Sequence, residues 1–200
     1  HCKEVGSMIA RFTNITKTSK LKRMNGLNLQ TWETILKKCK ESADSSYDHY
    51  FNKLDHEIVF LKKNWPTNLP TAIIHADLFK DNIFFIKDKI SGVIDFYFSC
   101  EDFIAYELAL AINAWCFDFK EGFKEKNYIS LMEGFNEYSS LDESEKKCLN
   151  VLLRGAAVRI LVTRLHDKIY HPKDAIVIPK DPKEYIQILE WHQENLDMNL

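Results

Sequence analysis

Residues 73–86 read IIHADLFKDNIFFI, and residues 91–96 read SGVIDF. The first stretch opens with a short β-type run, continues through the polar pattern H-x-D-x-x-x-x-N and returns to apolar residues. A polar tripeptide separates the apolar runs 83–86 and 90–94, which predicts a β-hairpin. Because a hairpin reverses the chain, we expect it to return Asp95, at the end of its second strand, to the side of the polar pattern.

The polar residues of these stretches have the types and spacing that phosphoryl transfer requires. Kinases use such an arrangement to move the γ-phosphoryl group of ATP. Asp77, just past a strand end, can orient a substrate hydroxyl and accept its proton. Asn82 offers a neutral oxygen and Asp95 an anionic one, and Mg²⁺ accepts such ligands together with nucleotide phosphates. His75 is predicted to hold the loop through hydrogen bonds to backbone, with direct assistance of Asp77 as the alternative.

Chance is a poor explanation for this pattern. With 7 His in the chain, roughly 0.03 accidental matches are expected at this composition, and fewer once a strand-borne Asp is also required. For each residue the alternative is a turn or capping role without chemistry. That alternative does not account for Asp77, Asn82 and Asp95 occurring together.

Composition limits the class of protein. The chain has 200 residues, 46% hydrophobic and 28% charged, which suits one globular domain and excludes intrinsic disorder. Because 27 basic and 29 acidic residues give a net charge of -2, neither a nucleic-acid nor a membrane partner is indicated. The five scattered cysteines include no C-x-x-C pair, which favours reduced thiols in a cytoplasmic protein.

Helices are predicted on both sides of the hairpin. Apolar residues recur at spacings of three and four over 1–13, 29–40, 46–63, 103–117, 121–138, 143–168 and 182–195. The polar stretch 13–28 is predicted to be a loop, and 169–181 a second, ordered loop. Asp102 is expected to cap the helix that follows it. The apolar stretch 103–117 is too short for a membrane span and predicts a buried helix.

Four longer stretches resemble one known family. They are HADLFKDN (75–82), GVIDFYFSC (92–100), ELALAINAWCF (107–117) and RGAAVRILVTR (154–164). Together they resemble the bacterial homoserine kinases of the aminoglycoside phosphotransferase and choline kinase superfamily. The resemblance implies an α+β, mainly helical fold. It implies in particular the C-terminal lobe of a protein-kinase-like fold, with a small β-hairpin at the catalytic loop.

The resemblance also implies an activity. By analogy, Asp77 is the catalytic base, Asn82 and Asp95 bind Mg²⁺, and ATP phosphorylates the side-chain hydroxyl of L-homoserine in threonine biosynthesis. Another small-molecule kinase of the superfamily, acting on choline, an amino sugar or an aminoglycoside, is the nearer alternative. A non-catalytic helical module that kept the kinase shape is the remote one.

Part of the family pattern is absent from residues 1–200. The six glycines are isolated and form no G-x-G-x-x-G loop, and no β-rich lobe precedes the catalytic loop. We therefore expect the chain to be a C-terminal lobe alone, with the hinge just upstream of His1. Its partner would be the N-terminal lobe of the same polypeptide, and alone it should bind ATP weakly and turn over poorly.

An amino-acid acceptor also requires a cation for its carboxylate. Arg154, Arg159 and Arg164 lie in an otherwise apolar helix, and a guanidinium group can bind a carboxylate through two hydrogen bonds. Ion pairs with the acidic residues of 101–107 are the structural alternative. The spacing of five prevents all three arginines from sharing one helix face.

Structural roles are predicted for four further residues near the motif. Glu107, inside an apolar helix, is expected to brace the catalytic loop from behind. Trp115, Phe117 and Tyr97 are expected to pack in the core rather than to form a platform for substrate.

Overall fold

The computed structural model describes residues 1–172, 174–176 and 178–196. These residues form two compact units. The first contains His1–Gly26 and Pro66–Leu153, and the second contains Leu27–Trp65 and the described residues from Arg154 onward.

Helices account for most of the described chain, as predicted. They are α1 (Cys2–Thr16), α2 (Leu29–Ser42), α3 (Asp48–Asn64), α4 (Ile104–Trp115), α5 (Glu125–Asn136), α6 (Glu143–Ile169) and α7 (Lys183–Glu194). The strands are β1 (Thr71–Ile74), β2 (Ile83–Ile86), β3 (Lys89–Val93), β4 (Cys100–Phe103), β5 (Phe117–Asp118) and β6 (Gly122–Phe123). The strands pair antiparallel as β1–β4, β2–β3 and β5–β6. The fold is α+β and mainly helical.

The bounds of the first two helices differ little from their predictions. Helix α1 continues three residues beyond its predicted end, and the buried Thr13 satisfies its hydroxyl within this helix by donating to Ile9 O at 2.8 Å. Helix α2 starts at the predicted residue, since the Asn28 side chain accepts a hydrogen bond from Thr31 N at 3.1 Å. This is the N-cap contact that satisfies a free backbone N–H at a helix start.

The segment before α4 differs from its prediction. Asp102 is not the helix N-cap, which is Phe103. Instead Asp102 lies in β4, opposite Ala72 of β1, and its carboxylate accepts hydrogen bonds from Phe103 N at 2.8 Å and from Asn25 Nδ2 at 2.6 Å. The strand was missed because its sequence, CEDF, does not alternate polar and apolar residues and its partner β1 is distant in sequence.

The segment before α5 also differs. The predicted helix start at residue 121 is wrong, because 117–123 fold into the small hairpin β5–β6 with Phe117 opposite Phe123. The carboxylate of Asp118 accepts hydrogen bonds from two backbone N–H groups of the turn. Such side-chain contacts compete with helix formation and favour a turn.

The core of the first unit includes helix α4, which is buried along most of its length. This confirms the predicted buried helix. Helix α1 crosses α5 at two glycines, Gly6 and Gly134. A Cβ atom on Gly6 would lie 1.9 Å from Leu131 O, and one on Gly134 would lie 1.9 Å from Lys3 O. Only glycine permits two helix backbones to approach so closely.

The second unit contains α2, α3, α7 and the larger part of α6. Trp32 and Trp65 meet edge to face, with ring centroids 5.6 Å apart, an arrangement that aromatic pairs prefer. Their rings pack against Gly155, where a Cβ atom would lie 2.2 Å from the Trp65 ring. Of the helices described, none has the length and apolar character needed to cross a membrane.

Candidate active site

Glu107 of α4 anchors the chain that leaves β1. Its Oε1 accepts a hydrogen bond from His75 N at 2.9 Å, and its Oε2 accepts one from Ala76 N at 2.8 Å. Glu107 is buried, and a buried carboxylate needs such partners to offset its lost hydration. The prediction that Glu107 braces the catalytic loop is confirmed.

Ala76 turns the chain sharply at this point. Its φ of +64° lies in the left-handed region, where a Cβ atom costs about 1–2 kcal/mol. Ala76 is also buried, so the contacts around it, including the hydrogen bond to Glu107, must maintain this conformation. The turn carries the chain out of β1 and leaves the next residue, Asp77, half-buried.

The ring of His75 connects the loop to the end of the hairpin. Its Nδ1 accepts a hydrogen bond from Asp77 N at 3.2 Å, and its Nε2 lies 2.9 Å from Ile94 O. Because Nδ1 accepts, the ring proton resides on Nε2, which donates to the carbonyl oxygen. The predicted contacts of His75 with backbone are confirmed, whereas direct assistance of Asp77 stays a prediction.

Asn82 holds the carboxylate of Asp77. Its Nδ2 donates to Asp77 O at 2.8 Å and to Asp77 Oδ2 at 3.1 Å. The backbone of Asn82 also contacts the residue that follows β3, since Ile94 N donates to Asn82 O at 3.0 Å. Ile94 is therefore bound on one side by Asn82 and on the other by His75, and the residue that follows it is Asp95.

The hairpin that returns Asp95 has the predicted position. Strands β2 and β3 pair antiparallel with Ile86 opposite Lys89, which leaves Lys87 and Asp88 as a two-residue turn. Both turn residues have positive φ, as a type I′ hairpin turn requires. The second strand begins at residue 89 rather than at the predicted residue 90.

Asp95 ends this segment in an unusual backbone conformation. Its φ of 64° and ψ of 59° are left-handed, and its side chain is exposed. Among the residues that the structure describes, none forms a hydrogen bond or ion pair with the Asp95 carboxylate. A strained residue with an uncommitted charge is typical of a ligand site.

The residues present fit a magnesium ion. Within the described ranges no group of three or more His, Cys, Asp or Glu side chains is arranged to hold a metal. Mg²⁺ is usually bound through one or two carboxylates and substrate phosphates. Asp95 offers a free carboxylate, and Asn82, whose amide N–H groups are directed at Asp77, keeps its Oδ1 as an acceptor.

The aromatic predictions have different outcomes. Phe117 and Trp115 are buried as expected. Trp115 also supports the catalytic loop, because its Nε1 donates to Leu78 O at 2.8 Å; a buried tryptophan needs such an acceptor, but the sequence does not say which. The prediction for Tyr97 is wrong, since its side chain is 71% exposed. It lies in the short turn Phe96–Phe98 that follows Asp95.

The three arginines of α6 belong to the second unit and are buried there. Arg154 Nε and Nη2 donate to the two carboxylate oxygens of Glu57, each at 2.7 Å. Arg164 Nη1 donates to Glu184 Oε2 at 2.6 Å. Arg154 and Arg164 therefore form structural ion pairs, but their partners are Glu57 and Glu184 rather than the acidic residues of 101–107. A substrate role for Arg154, Arg159 and Arg164 stays a prediction.

Comparison with known proteins assigns the family. A family model described as "Phosphotransferase enzyme family" matches residues 1–131. The chain belongs to this phosphotransferase family. It is also 42% identical to the homoserine kinase of Parvibaculum lavamentivorans and 42% identical to that of Bartonella henselae. Each alignment covers 96% of this chain and, respectively, 60% and 59% of the relative. This phosphotransferase chain therefore spans about 60% of the length of the curated relatives it matches.

Solved structures agree on the fold of this phosphotransferase. Choline kinase from Cryptosporidium parvum superposes with a TM-score of 0.63 at 15% sequence identity, covering 98% of this chain and 64% of that one. At this identity the similarity concerns the fold alone.

Proposed function

We propose that this protein transfers the γ-phosphoryl group of ATP to the side-chain hydroxyl of L-homoserine, a step in threonine biosynthesis. One observation carries the proposal. The Asp77 carboxylate is held 3.1 Å from Asn82 Nδ2, next to the segment that ends in Asp95. The chain that carries this arrangement is 42% identical to relatives named homoserine kinase. ATP and Mg²⁺ follow from this reaction, and a cytoplasmic location stays part of the proposal.

Asp77 acts as the general base of the proposed reaction. It receives a hydrogen bond from the acceptor hydroxyl, orients the oxygen and takes its proton as the new oxygen–phosphorus bond forms. The bond between the γ-phosphorus and its bridging oxygen breaks, and ADP leaves. Asn82 fixes the carboxylate by donating a hydrogen bond to Oδ2. His75 positions the loop and touches neither substrate in this scheme.

Asn82 and Asp95 would hold the magnesium ion. The ion neutralises negative charge on the nucleotide phosphates when it is bound. Asp95 suits this task because its carboxylate is exposed, and the hydrogen bonds that Ile94 makes to His75 and Asn82 fix the backbone just before it. Positioning of this kind accounts for much of the catalysis in phosphoryl transfer.

The base assignment is tested by Asp77→Asn in the full-length protein. We expect kcat for homoserine-dependent ADP release to fall by about 10²- to 10⁴-fold, since an amide accepts no proton. Asp88→Asn makes the same chemical change at the exposed hairpin turn and should leave kcat unaltered. Unchanged turnover in Asp77→Asn, or an equal loss in Asp88→Asn, would refute the assignment.

The acceptor is tested with a panel of alcohols. Homoserine, choline, an amino sugar and an aminoglycoside are compared as stimulators of ADP release by the same preparation. We expect homoserine to give the highest kcat/KM, because the relatives that share about 40% identity are homoserine kinases. A higher kcat/KM with any of the other three acceptors would mean that this acceptor, rather than homoserine, is the substrate.

We also propose that a nucleotide-clamping lobe of the same polypeptide completes the site. Two observations support it: the chain spans about 60% of the length of its relatives, and its six glycines form no phosphate-covering loop. Homoserine-dependent ADP release should be weak for residues 1–200 and strong when the preceding lobe is present. Full activity of residues 1–200 would contradict this part of the proposal.

A further inference from the structure

A basic segment, residues 17–26, is attached to the sheet that supports the catalytic loop. At its start, the Thr16 hydroxyl donates to Ile73 O of β1 at 2.7 Å. Near its end, Asn25 Nδ2 donates to Asp102 of β4 at 2.6 Å. Between these points, Glu101 N donates to Arg23 O at 2.7 Å. The backbone around Arg23 is thus fixed by hydrogen bonds on both sides.

The register of the strands places Arg23 at the catalytic end of this sheet. Met24 forms a parallel bridge with Glu101 of β4, so Arg23 lies level with Cys100. In the antiparallel pair β1–β4, Cys100 is opposite Ile74. Ile74 is the last residue of β1, and the catalytic loop begins immediately after it. Arg23 therefore lies at the end of the sheet from which His75 and Asp77 extend.

The side chain of Arg23 contacts the turn that follows the proposed metal ligand. Its guanidinium carbon lies 5.8 Å from the centre of the Tyr97 ring, within the range of a cation–π contact. Tyr97 is two residues beyond Asp95 and is 71% exposed. Because Tyr97 is exposed, its ring is available to contact the Arg23 guanidinium group beside the active site.

Within the described residues Arg23 has no carboxylate counter-ion, unlike three other cations of the chain. Lys22 pairs with Glu101, and Arg154 and Arg164 pair with Glu57 and Glu184. No carboxylate of the described residues pairs with Arg23. A guanidinium group presents a planar fork of donors that matches a carboxylate. The guanidinium group of Arg23 is exposed at the edge of the active site.

We propose that Arg23 binds the carboxylate group of the amino-acid acceptor. The inference rests on the proposed function, because homoserine carries an α-carboxylate next to the chain that bears its hydroxyl. In this assignment Arg23 selects amino-acid alcohols over simple amino alcohols, while Asp77 acts on the hydroxyl.

The test uses Arg23→Gln in the full-length protein. The acceptors are L-homoserine and 3-aminopropan-1-ol, which is homoserine without its carboxylate. We expect the KM for homoserine to rise by about 10- to 100-fold, the size of a lost hydrogen bond to a charged group. The KM for ATP and the kcat/KM for 3-aminopropan-1-ol should not change. Arg11→Gln is the matched control, because Arg11 also lies over a tyrosine ring, that of Tyr138 at 5.7 Å.

The outcomes separate this inference from the function on which it rests. A selective loss for homoserine in Arg23→Gln, absent in Arg11→Gln, supports the assignment. An unchanged KM for homoserine, or an equal loss with both acceptors, overturns the role of Arg23 and leaves the kinase activity standing. If the unmodified protein does not phosphorylate homoserine, the proposed function fails, and the role of Arg23 fails with it.

Discussion

At the scale of single residues, Glu107 is the contact on which the catalytic loop depends most directly. Both of its carboxylate oxygens accept backbone N–H groups, at 2.9 Å from His75 and at 2.8 Å from Ala76. A neutral carboxamide has only one oxygen, so it cannot reproduce this pair of contacts. The left-handed conformation of Ala76 would then lose part of its support.

Glu107→Gln should therefore reduce both stability and activity. We expect the free energy of unfolding to fall by about 1–3 kcal/mol, the cost of leaving a buried N–H group unsatisfied, and kcat to fall because Asp77 is less well positioned. Urea unfolding and steady-state kinetics measure the two effects. Glu133→Gln, on an exposed site of α5, should change neither; equal effects in the two variants would argue against the bracing role.

At the scale of elements, the glycine crossing of α1 and α5 determines how closely these helices approach. A Cβ atom at either glycine would lie 1.9 Å from a carbonyl oxygen of the facing helix. The obstacle is backbone, which cannot rotate away as a side chain can. The two helices must separate to accept even one methyl group.

Gly134→Ala should destabilise the protein even though alanine favours helix formation by about 1 kcal/mol. We expect a net loss of about 1–3 kcal/mol in the free energy of unfolding, as for other overpacked sites. Gly26→Ala is the control, because a Cβ atom there meets nothing within 4 Å. Thermal or urea unfolding measures the difference between the two variants. A gain in stability for Gly134→Ala would show that α1 and α5 do not cross as closely as described.

The strands and loops also show which parts of the fold a local sequence pattern can predict. The hairpin β2–β3 and the catalytic loop were predicted because apolar runs, turn residues and the spacing of Asp77 and Asn82 are local signals. Strand β4 was not, because its partner β1 is about 30 residues away in sequence, with Ile73 opposite Glu101. Arg23 was missed for the same reason, since its position follows from the bridge to β4.

At the scale of the whole molecule, one buried polar cluster joins distant segments of the second unit. Glu57 of α3 binds Arg154 of α6 through two hydrogen bonds of 2.7 Å, and Gln193 of α7 donates to the same carboxylate at 2.6 Å. Glu57 and Arg154 are buried, so loss of either partner would leave an uncompensated charge. Next to Gln193 lies His192, which is completely buried.

The burial of His192 predicts a loss of stability in acid. Desolvation, assisted by the charge of Arg154, lowers the pKa of His192 from 6.5 to about 3. Below pH 6.5 His192 is protonated in the unfolded chain but stays neutral in the folded chain. The free energy of unfolding that is present above pH 6.5 is therefore lost progressively as the pH falls towards about 3. This group should contribute a slope of about 1.4 kcal/mol per pH unit over that interval. In His192→Gln, urea unfolding between pH 7 and 4 should show a slope smaller by about this amount, because glutamine does not titrate. Identical slopes in the two proteins would mean that His192 takes up its proton in the folded state as readily as in the unfolded one.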